Sequence, residues 1–313
     1  MSTLTVVVPT AGRLANLRVV LASLEQQTLP RPEYEILVVD DGSVDLTERW
    51  CSGWQDGGLR RYVRQNRCGT PLARNLGALM AWSPLVLFLD DDQRARPELL
   101  EEHGRAHGAR GDMATVVVGS STWEPAVHPS ALMRYLSTVE PLPLTYPSNP
   151  RLLTPSIDHF RTHQLSFKRS FLVRRGLHDA RFDLLADLEL ACRLAVHGLR
   201  VRYCSHARSE RLTTFTFAEW CEQLRRAGAA AAVVGAAHDH PVVRRLVRPA
   251  AAAAEWRASR ASYDDWCRTT GELDAALGQD HDGRSDDELL LLWRGYRRCF
   301  AASWARGVVE GDR

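Results

Sequence analysis

Apolar and polar positions follow two different periods over the first 120 residues. Short apolar runs at Leu4–Val8, at "YEILVVDD" (34–41) and at "PLVLFLDDD" (84–92) predict strands that are buried on both faces. After the first of these strands, the leucines at 14, 17, 21 and 24 have the spacing of one helix face. Because strands alternate with helices, we expect right-handed βαβ units and an α/β fold with a doubly wound, mostly parallel sheet.

The pattern changes after residue 121. Residues 122–165 are rich in proline and lack a clear period, which is typical of a binding loop or lid. Regular patterns return at 165–176 and at 187–198, where the predicted helix ends in a glycine.

The last hundred residues predict helices. Capping-box patterns occur at Thr216 with Glu219 and at Ser285 with Glu288. The second precedes a stripe of large apolar residues at helical spacing: Leu289, Trp293, Tyr296, Phe300 and Trp304. We interpret this stripe as core packing or as a homodimer face, and a membrane-surface helix is the alternative.

Composition narrows the class of protein. The 313 residues include 45% hydrophobic and 25% charged residues, as in ordinary globular proteins. A net charge of +2 argues against a dedicated nucleic-acid binder. The seven cysteines are scattered and never form CxxC, which favours reduced thiols. No signal-peptide pattern precedes the first strand, and the longest apolar run, Ala227–Ala237, is too short to span a bilayer, so we expect a cytoplasmic protein.

Candidate chemistry lies where three predicted strands end. The first ends at Pro9-Thr10, the second at Asp40-Asp41, and the third at the acidic run 90–92. In an open parallel sheet such ends meet at one edge, where ligands bind. Three consecutive carboxylates repel one another, and a divalent cation such as Mg²⁺ or Mn²⁺ would offset that repulsion. The alternative is a helix-capping or surface acidic cluster.

Six stretches together resemble a known family. Four occur in order in the first half: "VVVPTAGRLANLRVVLASLEQQ", "ILVVDDGSVDLT", "RQNRCGTPLARNLGA" and "VLFLDDDQRARPELL". Two follow: "HQLSFKRSFLVRRGLHDARFD" and "DLELACRLAVHG". This order over residues 4–215 resembles family 2 glycosyltransferases of the GT-A fold. The resemblance implies a nucleotide-sugar-binding half at 1–120, an acceptor-side half of the same domain at 121–215, and a helical region at 216–313.

The resemblance also implies roles for individual residues. A nucleotide-sugar site is expected from Pro9, Thr10, Arg13, Asp40, Asp41, Arg74, Asn75, Asp90 and Asp91. Within it, Asp41 matches the aspartate that hydrogen-bonds the base, with an ordinary turn as the alternative. Arg74 could bridge an aspartate and the diphosphate, or form a structural salt bridge.

Metal and catalytic roles come from the same comparison. Asp92 matches the metal-binding aspartate of the DXD element, and His206 is the candidate second protein ligand for Mn²⁺ or Mg²⁺. Asp187 matches the general base that takes the proton of an acceptor hydroxyl, and direct displacement inverts the anomeric configuration. An ordinary residue at a helix start is the alternative for Asp187.

Three positions depart from the family pattern. Ala186 stands where the family usually has Glu, and Gln93 occupies a position that is often acidic. His206 lies early in register, and Glu210 is closer to the expected place of the metal ligand.

We therefore expect an inverting, metal-dependent glycosyltransferase that uses a nucleotide-diphosphate sugar, with UDP-linked donors favoured over dTDP or GDP. The expected acceptor is a small molecule or a glycan. We expect no nucleic-acid partner and no transmembrane segment. Peripheral membrane contact and homodimerisation through the C-terminal helices stay open. A catalytically silent nucleotide-binding or scaffold subunit is the alternative. A sugar nucleotidyltransferase is disfavoured, because only Ala11-Gly12-Arg13 follows the first strand instead of a longer phosphate-binding loop.

Overall fold

The computed structural model describes residues 3–54, 59–108, 112–123, 130–138, 157, 160, 162–277 and 286–312. The chain divides into two compact units. The first comprises Met1–Thr122 and Asn149–Leu212, and the second comprises Trp123–Ser148 and Thr213–Arg313. Most of the proline-rich segment 122–165 lies outside the described residues, so its interpretation as a loop or lid stays a prediction.

A mixed eight-stranded sheet forms the first unit, in the order β3-β2-β1-β4-β7-β6-β8-β5. The strands are β1 (Leu4–Thr10), β2 (Tyr34–Asp41), β3 (Arg60–Gln65), β4 (Leu85–Leu89), β5 (Gln93–Ala95), β6 (Thr115–Trp123), β7 (Gln164–Lys168) and β8 (Arg200–Arg211). The α/β class is confirmed, and the parallel part consists of β3, β2, β1 and β4. Strand β7 pairs antiparallel with both β4 and β6, and β5 pairs antiparallel with β8.

The sheet brings the ends of several strands to one edge. In the register of β1 and β2, Thr10 lies opposite Asp40, and β4 runs parallel to β1 on its other side. Because β7 is antiparallel to β4, the start of β7 lies at the edge where β4 ends, and Leu89 pairs with Gln164. This edge therefore collects both the predicted acidic run and residues that are distant from it in sequence.

Helices cover the sheet in the first unit. They are α1 (Leu14–Leu24), α2 (Thr47–Cys51), α3 (Thr70–Met80), α4 (Leu99–Gly108), α6 (Arg169–Arg175) and α7 (Ala186–Ala195). The intervening helix α5 (Ala131–Thr138) belongs to the second unit. The predicted spacing of α1 is confirmed, since Leu17, Leu21 and Leu24 are buried in a core with β1 and β2. A Cβ at Gly77 of α3 would overlap the side chain of Val7, so this helix lies directly on β1.

The second unit is helical, as predicted. Besides α5 it contains α8 (Phe217–Ala237), α9 (Pro241–Val247), α10 (Pro249–Ser259), α11 (Tyr263–Leu277) and α12 (Asp286–Gly311). The capping box of Thr216 and Glu219 is present at the start of α8, while Ser285 lies outside the described residues. Tyr296 and Phe300 of α12 are buried in this unit, with their rings stacked 5.6 Å apart. The middle of the aromatic stripe is therefore core.

Two general features complete the fold. All seven cysteines are free of disulfide bonds. Across the part of the chain that the structure describes, no helix is both long and apolar enough to cross a membrane.

Candidate active site

Three consecutive aspartates follow β4, and each faces a different arginine. Asp90 Oδ1 accepts a hydrogen bond of 2.6 Å from Arg74 Nη2. Asp91 Oδ1 lies 3.3 Å from Arg13 Nη1, and Asp92 Oδ2 lies 3.3 Å from Arg211 Nε. These arginines come from α3, from the loop after β1 and from the end of β8. The fold thus surrounds the acidic run with cations from three separate parts of the first unit.

Burial has the largest effect on the ionisation of Asp91. It raises the pKa of Asp91 to about 7, although Arg13 and the hydroxyl of Thr10 act in the opposite direction. Desolvation disfavours the charged form of a carboxyl group, whereas a nearby cation favours it.

The end of β1 and the loop after it contact the acidic run. Thr10 Oγ1 donates a hydrogen bond of 2.8 Å to Asp91 Oδ2, and the side chain of Arg13 is 52% exposed while it contacts the same carboxylate. Pro9 is buried in the strand just before them. Gly12 has a positive φ of 71°, and its N–H donates to Ser43 Oγ at 2.7 Å. The loop after β1 is thereby attached to the loop after β2. The Arg13 side chain stays about half-exposed and can be reached from solvent.

Asp40 and Asp41 have their carboxylates engaged by the protein. Asp40 is fully buried and accepts hydrogen bonds from the Ser43 N–H, the Tyr62 hydroxyl and Arg64. Protein donors thus occupy the Asp40 carboxylate, and its predicted contact with a nucleotide is not tested by these bonds and stays a proposal.

Asp41 organises the loop that precedes α3. Its Oδ1 accepts from Gln65 Nε2 and from the Cys68 N–H, and its Oδ2 accepts from the Gly69 N–H at 2.8 Å. A carboxylate has about four acceptor positions, so three of them are used by this loop. The predicted contact of Asp41 with a base is not tested by these bonds and stays a proposal.

Arg74 connects the acidic run with the predicted base. While Nη2 binds Asp90, Nη1 lies 3.7 Å from Asp187 Oδ1, and the arginine side chain is only 9% exposed. The guanidinium thus contacts an aspartate on each side, and the predicted bridge from an aspartate to a diphosphate stays a proposal. The planar group fixes the distance between the two carboxylates.

Asn75 is hydrogen-bonded to the backbone of His178. Its Nδ2 donates to the backbone oxygen of His178 at 2.8 Å, and its Oδ1 accepts from the His178 N–H at 2.8 Å. The predicted contact of Asn75 with the donor is not tested by these bonds and stays a proposal.

Asp187 is the second residue of α7 and lies in a dense set of donors. Thr162 donates to it twice, from its N–H to Oδ2 at 2.9 Å and from its hydroxyl to Oδ1 at 2.5 Å. His178 Nε2 lies 3.4 Å from Oδ1. Burial alone raises the pKa of Asp187, but the hydrogen bond from His178 and the charge of Arg74 outweigh it and hold that pKa well below its ordinary value. The side chain remains 19% exposed, so an ionised carboxylate is accessible to a small group.

The structure separates His206 from Asp92. Leu212 of the chain following β8 donates its N–H to the Asp92 carbonyl, and His206 precedes Leu212 by six positions along the strand. At roughly 3.4 Å per residue, this spacing amounts to about 20 Å. This spacing gives no support to His206 as a metal ligand, and that role stays a prediction.

Glu210 and Gln93 are also engaged elsewhere. Glu210 pairs with Arg94 and Arg96, and Gln93 Oε1 accepts hydrogen bonds from the hydroxyls of Ser121 and Ser209. Gln93 is fully buried, so its amide supports the sheet at the position that is often acidic in the family.

The donor set at the acidic run suits a hard cation. Among the described residues, no three carboxylate, imidazole or thiol groups converge on one point where an ion could be held. Mg²⁺ and Mn²⁺ commonly bind one or two carboxylates and complete their coordination with phosphate oxygens and water. The carboxylate of Asp92, next to that of Asp91, is an oxygen ligand of the kind that such an ion binds.

Three residues of the candidate site were not predicted from the sequence: Thr162, His178 and Arg211. Thr162 lies just before β7 and Arg211 ends β8, and both strands pair antiparallel with partners that are distant in sequence. No local pattern marks either residue. His178 lies within one of the stretches that carry the family resemblance, but a single histidine there has no distinctive signal.

Comparisons with known proteins identify the family and the fold. The family model for glycosyl transferase family 2 matches residues 5–175. Validoxylamine A glucosyltransferase of Streptomyces hygroscopicus subsp. jinggangensis is 37% identical over 118 residues, which cover 37% of this chain and 28% of that enzyme. Glycosyltransferase AglE of Haloferax volcanii is 30% identical over 98 residues, covering 31% of this chain and 32% of the relative. The chain thus spans about a third or less of the length of these relatives.

Solved structures support the fold. The S. aureus TarS 1–349 complex with UDP superposes with a TM-score of 0.53 at 17% identity, covering 78% of this chain and 69% of TarS 1–349. GalNAc-T7 with UDP, GalNAc and Mn²⁺ gives a TM-score of 0.52 at 18% identity, covering 68% of this chain and 43% of that one. At this identity the likeness concerns the fold alone.

Proposed function

The chain belongs to glycosyl transferase family 2, and from that premise we propose that it transfers a sugar from a nucleotide-diphosphate donor to an acceptor hydroxyl with inversion at the anomeric carbon. The observation that carries this proposal is the position of Arg74, whose guanidinium contacts Asp90 of the acidic run and lies 3.7 Å from Asp187. Displacement of the nucleotide by an acceptor hydroxyl requires the sugar donor and the base to lie close together. Arg74 holds the carboxylates of Asp90 and Asp187 side by side.

We assign the donor to the edge formed by the ends of β1 and β4. Thr10, Arg13, Asp90 and Asp91 line this edge, and Arg13 is exposed enough to contact a phosphate. A UDP-linked donor is the first choice, because TarS and GalNAc-T7, which share the fold, were both crystallised with UDP. Residues 1–120 would then hold the donor, and residues 121–215 would face the acceptor.

Asp92 would hold a Mn²⁺ or Mg²⁺ ion together with the diphosphate. When bound, such an ion acts as a Lewis acid that stabilises the negative charge on the departing nucleoside diphosphate. Arg13 and Arg74 add fixed positive charge at the same edge.

Asp187 is the proposed general base. An acceptor oxygen attacks the anomeric carbon, the bond from that carbon to the diphosphate oxygen breaks, and the hydroxyl proton passes to the Asp187 carboxylate. Thr162 orients this carboxylate with two hydrogen bonds, and the hydrogen bond from His178 together with the charge of Arg74 keeps it ionised before the reaction. A single displacement from the face opposite the leaving group inverts the configuration.

Calorimetric titration with UDP, dTDP and GDP, with and without Mn²⁺, tests this function. We expect metal-dependent binding of one nucleotide, followed by release of sugar when the matching nucleotide-sugar is incubated with the protein and metal. Binding of the nucleotide without any transfer or hydrolysis would instead indicate a catalytically silent nucleotide-binding subunit. Failure of all three nucleotides to bind folded protein would contradict the proposal.

A further inference from the structure

Three of the seven cysteines lie together in the helical unit. Cys221 belongs to α8, Cys267 to α11 and Cys299 to α12. The thiol of Cys267 is in hydrogen-bond contact with the thiols of both other cysteines. These residues are far apart in sequence, so the packing of three helices brings their sulfur atoms together.

The register of α11 against α12 places Cys267 opposite Cys299. Tyr263 at the start of α11 shares a hydrogen bond of 2.8 Å with Ser303 of α12. Further along α11, Thr270 Oγ1 lies 3.6 Å from Cys299 Sγ. The two helices are therefore antiparallel at this point. Cys267 is four residues after Tyr263 and three before Thr270, a spacing that puts all three on the helix face turned to α12.

Close packing of α8 on α12 adds the third thiol. A Cβ at Gly307 of α12 would overlap the backbone oxygen of Arg225 of α8. Cys221 lies one turn before Arg225, and Ser303 lies one turn before Gly307. The Ser303 hydroxyl is hydrogen-bonded to the Cys221 thiol, as this alignment requires. Cys221 thereby lies beside the residue that also binds α11.

The three thiols differ in ionisation and in exposure. Hydrogen bonds from the Cys221 and Cys299 thiols have the largest effect on Cys267 and lower its pKa. The Tyr263 hydroxyl and the charge of Arg306 act in the same direction, and burial acts against them. The same contacts with Cys267 raise the pKa of both neighbouring thiols. Cys267 is also partly exposed, whereas the other two are buried, so a small solute reaches the most acidic sulfur first.

The cluster suits oxidation better than metal binding. Within the described part of the chain, no three thiols converge on a point that could hold an ion. An acidic, accessible cysteine beside a second thiol is instead the arrangement in which a sulfenic acid forms and then condenses to a disulfide. Because the sulfur atoms of this cluster are already in contact, the helices need little movement to form an S–S bond of about 2 Å.

We propose that Cys267 is an oxidation site that reacts with hydrogen peroxide and then forms a disulfide with Cys221 or Cys299. The Cys267 thiolate attacks one peroxide oxygen, the O–O bond breaks, hydroxide leaves, and a sulfenic acid is formed. The sulfur of a neighbouring thiol then attacks the Cys267 sulfur, and the OH group leaves with the thiol proton as water. Two cysteines are oxidised, and the peroxide is reduced to hydroxide and water. This chemistry is independent of the proposed sugar transfer.

Peroxide treatment of the full chain, followed by peptide mapping without reduction, tests the proposal. We expect an intramolecular disulfide between Cys267 and one of its two neighbours, loss of two free thiols per chain, and recovery of both thiols with dithiothreitol. Cys267→Ser should form no such bond. Cys204→Ser is the matched control, because Cys204 is also partly exposed but its sulfur lies 3.9 Å from a carboxylate oxygen of Glu102. This control should be oxidised like the wild type.

Two further measurements examine the reactive thiol itself. With both neighbours replaced, as Cys221→Ser with Cys299→Ser, the sulfenic acid at Cys267 should persist and be labelled by dimedone. In the unmodified protein, limiting iodoacetamide at about pH 6 should alkylate Cys267 at least about ten times faster than Cys204, since the thiolate is the reacting form. Alkylation of Cys267 no faster than that of Cys204, or peroxide oxidation that yields no disulfide at Cys267, would overturn the proposal.

Discussion

Arg211 Nε lies 3.3 Å from Asp92 Oδ2, so the last residue of β8 supplies a cation to the carboxylate that we propose as the metal ligand. The aspartate side chain is 3% exposed and the arginine side chain is 27% exposed. A divalent ion that binds Asp92 must therefore share this carboxylate with the guanidinium or displace it. We therefore expect this ion pair to weaken metal binding at Asp92.

Replacement of Asp92 should separate the metal-dependent part of nucleotide binding from the rest. In Asp92→Ala we expect Mn²⁺ to lose its effect on nucleotide affinity, because a principal oxygen ligand is gone, while the metal-independent affinity persists. Calorimetry of the nucleotide with and without Mn²⁺ measures both quantities. Arg211→Gln is the complementary variant and should strengthen the enhancement by metal. Unchanged enhancement in Asp92→Ala would place the ion elsewhere.

Asp187→Asn tests the proposed base directly. The amide oxygen can accept one of the two hydrogen bonds from Thr162, but the amide cannot take a proton, so turnover should fall by about 10²–10⁴-fold. Affinity for the nucleotide should stay near the wild-type value, since Asp187 is assigned to the acceptor reaction. Steady-state kinetics and calorimetry on the same preparation check the two expectations. Wild-type turnover in this variant would remove Asp187 from the mechanism.

The strands and their polar ends were predictable because apolar runs and turn residues are local signals. The ends of β1 and β4 meet as expected, and Thr10, Arg13, Asp90 and Asp91 are brought together. The same local signal could not distinguish Asp40, whose "DDGS" context suits both a ligand site and a turn. Its complete burial beneath Tyr62 and Arg64 is a tertiary property.

Residues supplied by antiparallel pairing could not be predicted. The position of His206 along the chain makes it the candidate metal ligand in the sequence. In the structure, the register of β5 with β8 instead brings Arg211 to the acidic run. Similarly, Thr162 reaches Asp187 because β7 starts where β4 ends. Such relations depend on which strands pair, and one sequence contains no direct signal for that.

Two buried histidines on α4 predict an acid-sensitive fold. His103 Nδ1 and His107 Nε2 lie 2.8 and 2.9 Å from the hydroxyl of Ser166. Burial lowers the pKa of His107 to about 4 and that of His103 to about 3. The unfolded chain binds protons below about pH 6.5 that the folded rings do not, so the free energy of unfolding should fall as the pH drops from 6.5 towards 4.

The His107→Gln variant should reduce this slope, because glutamine keeps a polar group near Ser166 but does not titrate. The lost contribution is on the order of 3 kcal/mol over the full transition. Urea unfolding at several pH values measures it. The exposed His197→Gln is the control and should follow the wild-type curve. A slope in His107→Gln as steep as that of wild type would show that this ring is not kept neutral by the fold.

Close packing of α8 and α12 gives a matched pair of glycine substitutions. A Cβ at Gly307 would overlap the backbone oxygen of Arg225, and both residues belong to the helical unit. Because backbone cannot rotate away as a side chain can, Gly307→Ala should lower the free energy of unfolding by about 1–3 kcal/mol. Gly104 lies inside α4 with nothing within 4 Å of an added Cβ, so Gly104→Ala should raise stability by about 0.5–1 kcal/mol through helix propensity. Urea unfolding followed by tryptophan fluorescence compares the two, and a Gly307→Ala variant as stable as Gly104→Ala would mean that α8 and α12 do not approach backbone to backbone at this point.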